Sequence, residues 1–176
     1  MAGLREQKKR QTRSAIAAAA AELFGRDGYP HVPLARVASA AGVSDQTLYN
    51  YFPTKESLVF DQSDLFERTL IEVVIGRPAG VDLIEAYRDW LRAFILGDAG
   101  RRALVSPGGM PQLVATNDGL RRMLLELAHA VATKLAIRLR DDEMLSEAVA
   151  FVAADIMLAI MVRATLRLGS AAAEPA

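Results

Sequence analysis

The chain has 176 residues, a length that suits one domain or one domain with a small appendage. Hydrophobic residues make up 52% of it and charged residues 24%, so a folded core is expected rather than disorder. There is no cysteine, which excludes disulfides and thiolate metal sites, and His31 and His129 match no metal-ligand spacing. We therefore expect neither a metal nor a cofactor.

Charge is distributed unevenly, although the formal net charge is zero. Residues 1–60 contain 8 Lys+Arg against 5 Asp+Glu, whereas residues 61–176 contain 13 against 16. The positive charge is concentrated near the start of the chain, at Arg5, Lys8, Lys9, Arg10 and Arg13. A basic end on a mildly acidic body favours contact with a polyanion, but the same run is also typical of an ordinary solvated surface.

Two stretches imitate membrane segments. The alanine-rich run 15–21 follows the basic start, but alanine is a poor core for a signal peptide and Glu22 interrupts it. The apolar run 149–162 spans only 14 residues and contains Asp155, whereas a bilayer needs ~20 residues. We expect a soluble, cytoplasmic protein without a membrane partner.

Hydrophobic periodicity predicts three helices in the first part of the chain, at 5–27, 33–41 and 44–51. Pro33 suits the first position of the second helix, where a missing N–H costs nothing. His31, in the loop before it, is expected to be exposed and structural, with a phosphate contact as the lesser alternative.

The second and third of these helices are joined by a turn with clear local signals. Gly42 stands where a helix ends in a left-handed residue, and Ser44 can cap the next helix through its side-chain oxygen. Leu48 and Phe52, four residues apart, give the third helix a buried side. The outward side is then polar and aromatic, which is typical of a helix-turn-helix DNA-binding motif, while an ordinary helical hairpin is the alternative.

A fourth helix is predicted from Lys55, capped by Thr54, to about Ile75. The residues expected on its inward side are Leu58, Gln62, Leu65, Phe66, Thr69 and Val73. The run 76–80, with two glycines and a proline, ends this helix. We place a domain boundary before the helix, which gives a helix-turn-helix domain at 1–54 and a helical effector-binding and dimerisation domain at 55–176.

The rest of the chain also has helical periodicity and no strand-like alternation, so the predicted fold is all-α. Helices are expected at 81–96 and at 118–139, the latter capped by Asn117 or Asp118. A last helix is expected to open at the acidic residues 141–143 and to run to about Leu168. Between them we expect a short turn at 101–105 and a flexible loop at 106–109, and residues 171–176 form a frayed tail.

The stretch from about Thr12 to Val59 resembles the DNA-binding domain of the TetR family of bacterial transcriptional regulators. The matching segments are 21–24 (Ala-Glu-Leu-Phe), 28–29 (Gly-Tyr), 37–38 (Val-Ala), 41–44 (Ala-Gly-Val-Ser), 48–52 (Leu-Tyr-Asn-Tyr-Phe) and 55–58 (Lys-Glu-Ser-Leu). The later two-thirds of the chain is similar to the family only in being all-helical. The resemblance implies a ligand-responsive repressor that binds double-stranded DNA as a homodimer, at a palindromic operator.

The expected DNA-binding residues are Ser44, Asp45, Gln46, Thr47, Tyr49, Asn50, Tyr51 and Lys55. Gln46 can pair with adenine, whereas Asp45 can accept only from cytosine or else support the helix start. The resemblance implies backbone contacts at Tyr49 and Tyr51 and a phosphate contact at Lys55, although the Tyr49 ring can also pack beside Leu48. Val32 and Pro33 depart from the family, which usually has Thr or Ser there, and the basic start of the chain is expected to compensate.

The effector is expected to be an unknown small molecule in a pocket of the second domain. The candidate lining residues are Tyr87, Trp90, Phe94, Met123, His129 and Asp155, with Met110, Met157 and Met161 as further candidates; most of these side chains could equally belong to the core. Asp155 lies in an apolar run and is expected to need a partner, either Arg163, Arg88 or Arg92 or a cationic effector.

Dimerisation is expected through the last helix, which is apolar on most of its circumference. The family pairs two C-terminal helices per subunit, but only eight residues follow Leu168, so the 118–139 helix is the expected second member. No nucleophile–base pair or phosphate-binding glycine loop is visible, so catalytic residues and enzymatic activity are not expected. The alternative function is a helical ligand-binding protein that has lost DNA binding.

Overall fold

The computed structural model describes residues 2–97, 108–141 and 146–173, and every regular element within these ranges is helical. The α-helices in chain order are α1 (Ala2–Asp27), α2 (Leu34–Ala40), α3 (Asp45–Tyr51), α4 (Lys55–Val59), α5 (Ser63–Ile75), α6 (Leu83–Leu96), α7 (Met110–Thr116), α8 (Asp118–Asp141) and α9 (Glu147–Ala173). A 3-10 turn, Tyr29–His31, joins α1 to α2. The prediction of an all-α fold is confirmed. The turn predicted at 101–105 lies outside the described residues.

The first three helices pack around one apolar core. Ile16 and Phe24 of α1, Val37 of α2 and Leu48 of α3 are buried, and so is Phe52, which directly follows α3. Burying an aliphatic or aromatic side chain of this size contributes roughly 1.5–3 kcal/mol each relative to exposure. These contacts fix α3 against α1 and α2, so that the opposite side of α3 faces outward.

The turn between α2 and α3 is a Schellman motif. The Gly42 N–H donates to Ser39 O at 3.2 Å and the Val43 N–H donates to Ala38 O at 3.0 Å, which satisfies two carbonyls at the end of α2. Gly42 has φ +67°, a conformation that residues with a Cβ rarely adopt. The predicted glycine turn is therefore confirmed.

The helix predicted at 55–75 is interrupted, and this part of the prediction is wrong. Residues 60–62 leave the helical path, and a new helix, α5, begins at Ser63. Because the interruption resets the helix phase, Leu70 and Val74 are buried, whereas Gln62 and Leu65, which were expected to point inward, are not. The short helix α4 starts as predicted, at a capping box in which Thr54 and Ser57 satisfy each other's backbone N–H groups.

The later helices differ from the prediction mainly at their ends and in one addition. α7 was not predicted, and its buried residues Pro111, Leu113 and Val114 pack under α9. α8 begins where expected, since the Leu120 N–H donates to Asn117 Oδ1 at 3.0 Å. Asp141 is the last residue of α8 rather than the first of the next helix, and residues 142–145 lie outside the described residues.

The last helix is longer at its C-terminal end than predicted. α9 continues past Leu168 to Ala173, whereas residues 171–176 were expected to fray; residues 174–176 lie outside the described residues. Gly169 is buried, and its backbone packs against Pro111 of α7. This contact keeps the last turns of α9 on the protein body. Along its length α9 packs mainly against α8 and α7.

The predicted flexible loop at 106–109 is described only at Gly108 and Gly109, and Gly108 is buried against α1. A Cβ atom on Gly108 would lie 2.1 Å from Ala21 O and 2.4 Å from Gly25 N, and its φ is +77°. Only glycine allows so close an approach. The contact connects the segment before α7 directly to α1.

Candidate nucleic-acid interface

The start of α3 is fixed by Ser44. Its hydroxyl oxygen accepts from the Thr47 backbone N–H at 3.2 Å, and the Ser44 and Thr47 hydroxyls lie 2.8 Å apart. This is the N-cap that the sequence predicts. The cap fixes the first turn of α3 and sets the direction in which the next side chains point.

The outer side of α3 presents a row of polar groups to solvent. Gln46 Nε2 donates to Asn50 Oδ1 at 3.1 Å, and both side chains are exposed. Asp45 is also exposed and has no hydrogen-bond or ion-pair partner among the described residues. It therefore does not support the Ser44 cap, one of the two roles considered for it. The second Gln46 side-chain N–H, the Gln46 amide oxygen and the Asn50 side-chain N–H groups remain free to bond a base edge.

The two tyrosines of α3 have different surroundings. Tyr49 is 48% exposed, so its ring is not packed beside Leu48 in the core, and it is free to contact a ligand. Tyr51 is half-buried, and its carbonyl oxygen accepts from Arg13 NH1 at 3.1 Å. Six of the eight predicted DNA-binding residues therefore lie together at or near the exposed side of α3, and Tyr51 stands at its packed end.

Lys55, the eighth predicted residue, is turned inward. Its Nζ donates to Tyr29 O and lies 4.5 Å from the centre of the Tyr29 ring, a cation–π distance. Partial burial lowers the Lys55 pKa, with the neighbouring Glu56 acting in the opposite direction. In this arrangement the ammonium group links α4 to the 3-10 turn.

Tyr29 and Glu56 complete this cluster, and the sequence reasoning assigned neither a role. The Tyr29 hydroxyl donates to Glu56 Oε1 at 3.0 Å. Burial raises the Tyr29 pKa, and the Glu56 pKa is lowered chiefly by a hydrogen bond from its own backbone N–H, with the Tyr29 hydroxyl adding to the effect. Both residues belong to motif segments of the sequence, which is the signal that could have indicated them.

The basic start of the chain divides into two parts. Arg5, Lys8, Lys9 and Arg10 lie on the exposed first turns of α1, before its first buried residue, Ile16. Arg13 differs, because its Nε donates to Asp61 Oδ1 at 2.6 Å and its guanidinium lies 4.5 Å from the centre of the Phe52 ring. Arg13 is therefore engaged within the protein, and the expectation that it reaches DNA does not fit this arrangement.

The start of α2 lacks a side-chain cap, as the sequence indicated, but the helix begins at Leu34 and not, as predicted, at Pro33. Pro33 occupies the N-cap position and gives no side-chain hydrogen bond, whereas Val32 is fully buried. His31 is exposed, as predicted for a structural loop residue. The second helix therefore offers no side-chain hydroxyl to a phosphate at its start.

The candidate effector residues separate into two groups. Trp90 stacks on Phe94 with ring centres 5.4 Å apart, and both contact Phe66 of α5. The Tyr87 hydroxyl donates to Met157 O, and burial raises the Tyr87 pKa to about 12. Phe94 is 44% exposed and Trp90 is half-buried, so this aromatic cluster reaches the surface between α5 and α6.

His129 and Asp155 lie apart from the aromatic cluster, in an open groove of about 460 Å³ between α8 and α9. Asp155 is exposed, and among the described residues it forms no ion pair with an arginine, so the expectation of a buried acid paired with Arg88, Arg92 or Arg163 is wrong. The apolar run 149–162 is buried on one side only, which explains the difference. Met123 is half-buried on α8 outside the groove lining, Met110 is half-buried, and Met157 and Met161 are core residues.

The described residues also show whether a metal site or a membrane-spanning helix could be present among them. No three His, Cys, Asp or Glu side chains are grouped closely enough there to coordinate a metal ion. One helical stretch, Glu147–Ala171, is long and apolar enough to cross a membrane by length and composition, and it is longer than the 14-residue run seen in the sequence. The core helix of a soluble protein meets the same criterion, and 33% of the residues in the 18-residue apolar window of this stretch are buried inside the protein.

The comparisons with known proteins agree with this geometry. Residues 16–61 match the family described as bacterial regulatory proteins, tetR family. The HTH-type transcriptional regulator TcmR of Streptomyces glaucescens is 29% identical over 153 residues, a match that covers 80% of this chain and 67% of TcmR.

Two solved structures share the fold over most of the chain. Salmonella enterica GusR superposes with a TM-score of 0.61 at 20% identity, over 93% of this chain and 88% of GusR. Native NalD, the secondary repressor of the MexAB-OprM multidrug efflux pump in Pseudomonas aeruginosa, superposes with a TM-score of 0.58 at 19% identity, over 90% of this chain and 86% of NalD. The matched residues 16–61 contain the Gly42 turn and all of α3, so this segment is a DNA-binding segment of the tetR family of bacterial regulatory proteins.

Proposed function

We propose that this regulator is a homodimeric repressor whose α3 binds the major groove of a palindromic operator. The observation that carries the proposal is the exposed row Asp45, Gln46, Tyr49 and Asn50 on a short helix whose start is fixed by Ser44. A capped helix with free amide groups on its outer side has the size and chemistry that major-groove recognition requires. In a two-fold dimer the two copies of α3 would lie ~34–36 Å apart, one turn of the DNA duplex.

The individual roles follow from exposure and chemistry. Gln46 and Asn50 are proposed to contact base edges, with Thr47 and Asp45 beside them, and the Tyr49 hydroxyl is proposed to contact the sugar-phosphate backbone. The exposed cations at the start of α1 are proposed to neutralise phosphates. Lys55 would have to leave Tyr29 to reach a phosphate, so its contact depends on a change of rotamer in the complex.

We place the boundary between the DNA-binding domain and the effector-binding and dimerisation domain after residue 54. The effector is proposed to be a small apolar or aromatic molecule bound beside Trp90 and Phe94, where aromatic side chains reach the surface. Because Trp90 is the chain's single tryptophan, binding there should change the intrinsic fluorescence. A ligand that favours one orientation of α5 would shift the population of dimers away from the DNA-binding spacing.

We further propose a cytoplasmic location with no membrane partner. A transcriptional repressor acts in the compartment that contains the DNA. In addition, α9 carries Asp155, Arg163 and Arg167 on its exposed side. Charged side chains are costly in the hydrocarbon core of a bilayer. Both points support a soluble protein.

A second candidate function is a helical ligand-binding protein that has lost DNA binding. Two observations favour it: Asp45 places a carboxylate on the side of α3 that would face phosphates, and Lys55 is bonded inward. The two functions differ in their salt dependence. A DNA-binding regulator loses affinity steeply as salt rises, because phosphate contacts release counterions.

The test is the affinity of the full chain for a labelled duplex taken from its own promoter region, measured by fluorescence anisotropy at several salt concentrations. We expect specific binding, weakened in Tyr49→Ala and to a lesser degree in Tyr49→Phe, which loses only the hydroxyl. Arg92→Ala, on the exposed side of α6, is the matched control and should bind normally. If the folded wild type binds the promoter duplex no more tightly than it binds unrelated DNA, the second candidate is supported instead.

A further inference from the structure

One side of α9 is apolar, exposed and long. Val149, Val152, Ile156 and Ile160 are each about half exposed, at 51%, 58%, 51% and 49%. The opposite side of the same helix is buried against α7 and α8, through Ala150, Ala154, Met157 and Met161. From 149 to 163 the exposed face runs ~21 Å along the helix axis. An apolar face of this size on a folded protein indicates a surface that is covered in the working state.

Charges of both signs lie along this face. Asp155, Arg163 and Arg167 are exposed and line the groove between α8 and α9, and none of them pairs with another described residue. Asp155 and Arg163 are eight residues apart, ~12 Å along the axis, which is beyond the three- or four-residue spacing of ion pairs within a helix. The face is therefore apolar with one unpaired acid at one point and an unpaired base two turns further on.

This arrangement is self-complementary under two-fold symmetry. In an interface between two identical surfaces, if residue i of one protomer contacts residue j of the other, then j contacts i as well. Suppose that two copies of α9 cross in antiparallel orientation and that the two-fold axis passes residue 159. Residue 155 of each protomer then lies opposite residue 163 of the other, so the same contact forms twice. Ala159 occupies that position, and it is exposed and small, so two helices can approach closely there. The axis for the alternative pairing, 155 with 167, would pass Met161, which is buried in its own protomer.

We infer that a second copy of this chain covers the exposed face of α9, with the two helices crossing at Ala159 and with Asp155 of each protomer paired with Arg163 of the other. The inference rests on the proposed homodimer and specifies its register and its polar contacts. A charge that becomes buried in an interface needs a partner, and removal of one member leaves the other charge buried and unpaired. The two reciprocal ion pairs would therefore select one register among the many that an apolar stripe allows.

Arg163 fits the role better than the other basic groups of the groove. Arginine is always protonated and its planar guanidinium can bond a carboxylate through two N–H groups. His129, on α8, also lines the groove, but its imidazole lacks the planar fork of N–H groups that binds a carboxylate through two bonds. A lipid surface is the competing occupant of an apolar face, but Asp155 and Arg163 would then enter the bilayer without partners.

The test uses charge reversal in the full chain, with the dimer dissociation constant measured by sedimentation velocity. Asp155→Arg alone and Arg163→Glu alone should each weaken the dimer at least about tenfold, because each places like charges opposite each other. An equal mixture of the two variants should form a heterodimer with an affinity close to that of the wild type, since both of its 155–163 contacts again place an acid opposite a base. Both sites are exposed in the single protomer, so folding, checked by circular dichroism, should be unchanged.

Arg167→Glu is the matched control, since it lies on the same face one turn further along. Mixed with Asp155→Arg, it leaves one of the two 155–163 contacts with like charges, so this heterodimer should stay weaker than the one formed with Arg163→Glu; equal affinity of the two heterodimers would overturn the register. A wild-type dimer that neither single reversal weakens would overturn the ion pairs and leave the homodimer standing. A wild-type chain that is monomeric, or that binds phosphatidylcholine vesicles through this face, would overturn the homodimer as well.

Discussion

Arg13 Nε lies 2.6 Å from Asp61 Oδ1, and this contact joins the first helix to the interruption between α4 and α5. The same guanidinium donates to the Tyr51 carbonyl at the end of α3. The Asp61 side chain is only 12% exposed and that of Arg13 is 43% exposed, so the pair is partly shielded from water. One arginine therefore connects the end of the proposed DNA-binding helix to the interruption at residues 60–62.

We predict that Arg13→Ala and Asp61→Asn have similar and non-additive effects. Both should weaken DNA binding by loosening the end of α3, and a double-mutant cycle on the free energy of unfolding should give a coupling of ~1 kcal/mol. The slope of affinity against salt should stay the same in both variants, because neither residue is a phosphate contact in this arrangement. A smaller slope in Arg13→Ala alone would instead identify Arg13 as a DNA ligand.

The exposed cations of α1 should behave in the opposite way. Lys8→Ala and Arg10→Ala should leave the free energy of unfolding nearly unchanged, because both side chains are exposed. Each should weaken binding to all sequences alike and lower the salt slope by about 1 for each phosphate that the variant fails to neutralise. The measurement is anisotropy over a salt series, and an unchanged slope in both variants would show that this segment does not contact DNA.

The local signals of the sequence were sufficient to predict the region around α3. Gly42, the Ser44 cap and the Leu48–Phe52 spacing all act within one or two helical turns, so they can be read without knowing what packs nearby. The interruption at 60–62 could not be predicted in the same way. No proline or glycine marks it, and Asp61 is bonded to Arg13, 48 residues earlier in the chain.

The helices after α5 were harder to predict for related reasons. α7 has only seven residues and no side-chain cap, and its Pro111, Leu113 and Val114 are buried by tertiary contacts with other helices. Asp155 was expected to need a partner because the residues around it are apolar. In the structure that apolar run divides into a buried side and an exposed side, and the acid is on the exposed one.

The Ser44 cap should be measurable as stability. Ser44→Ala removes the acceptor of the Thr47 N–H and should lower the free energy of unfolding by about 1 kcal/mol. Ser44→Asp keeps an acceptor at the same position and should stay close to the wild type in urea unfolding. Equal destabilisation in both variants would indicate that the cap is not the reason for the lower stability.

The lowered Glu56 pKa, which comes chiefly from a hydrogen bond with its own backbone N–H and further from the Tyr29 hydroxyl, should make stability depend on pH in the acid range. The Glu56 pKa is lowered from its usual value of 4.5 in the folded state, so the carboxylate contributes stability above that pH and loses it as the pH falls through the lowered value. The difference in unfolding free energy between the wild type and Glu56→Gln should be largest near neutral pH. We expect it to stay below about 1 kcal/mol, because the group is only half-buried.

The Glu56 difference should also shrink as the pH falls below the lowered Glu56 pKa, where both chains carry a neutral group at this position. Urea unfolding at several pH values measures it. Lys55, beside Glu56, does not disturb the comparison, since lysine titrates far above the acid range. A difference that is constant from pH 3 to pH 7 would show that charge on Glu56 does not matter to the fold.

The central claim is that α3 recognises bases, and the most direct measurement is the affinity of Gln46→Ala for an operator in which each base pair is replaced in turn. Gln46 is exposed on the outer side of α3 and bonds only to Asn50 among the described residues. We predict a loss of ~1–3 kcal/mol on the natural operator, with discrimination relaxed at one base pair in each half-site, at two-fold related positions. An unchanged affinity, or a loss that is equal for every operator and for unrelated DNA, would contradict base recognition by α3.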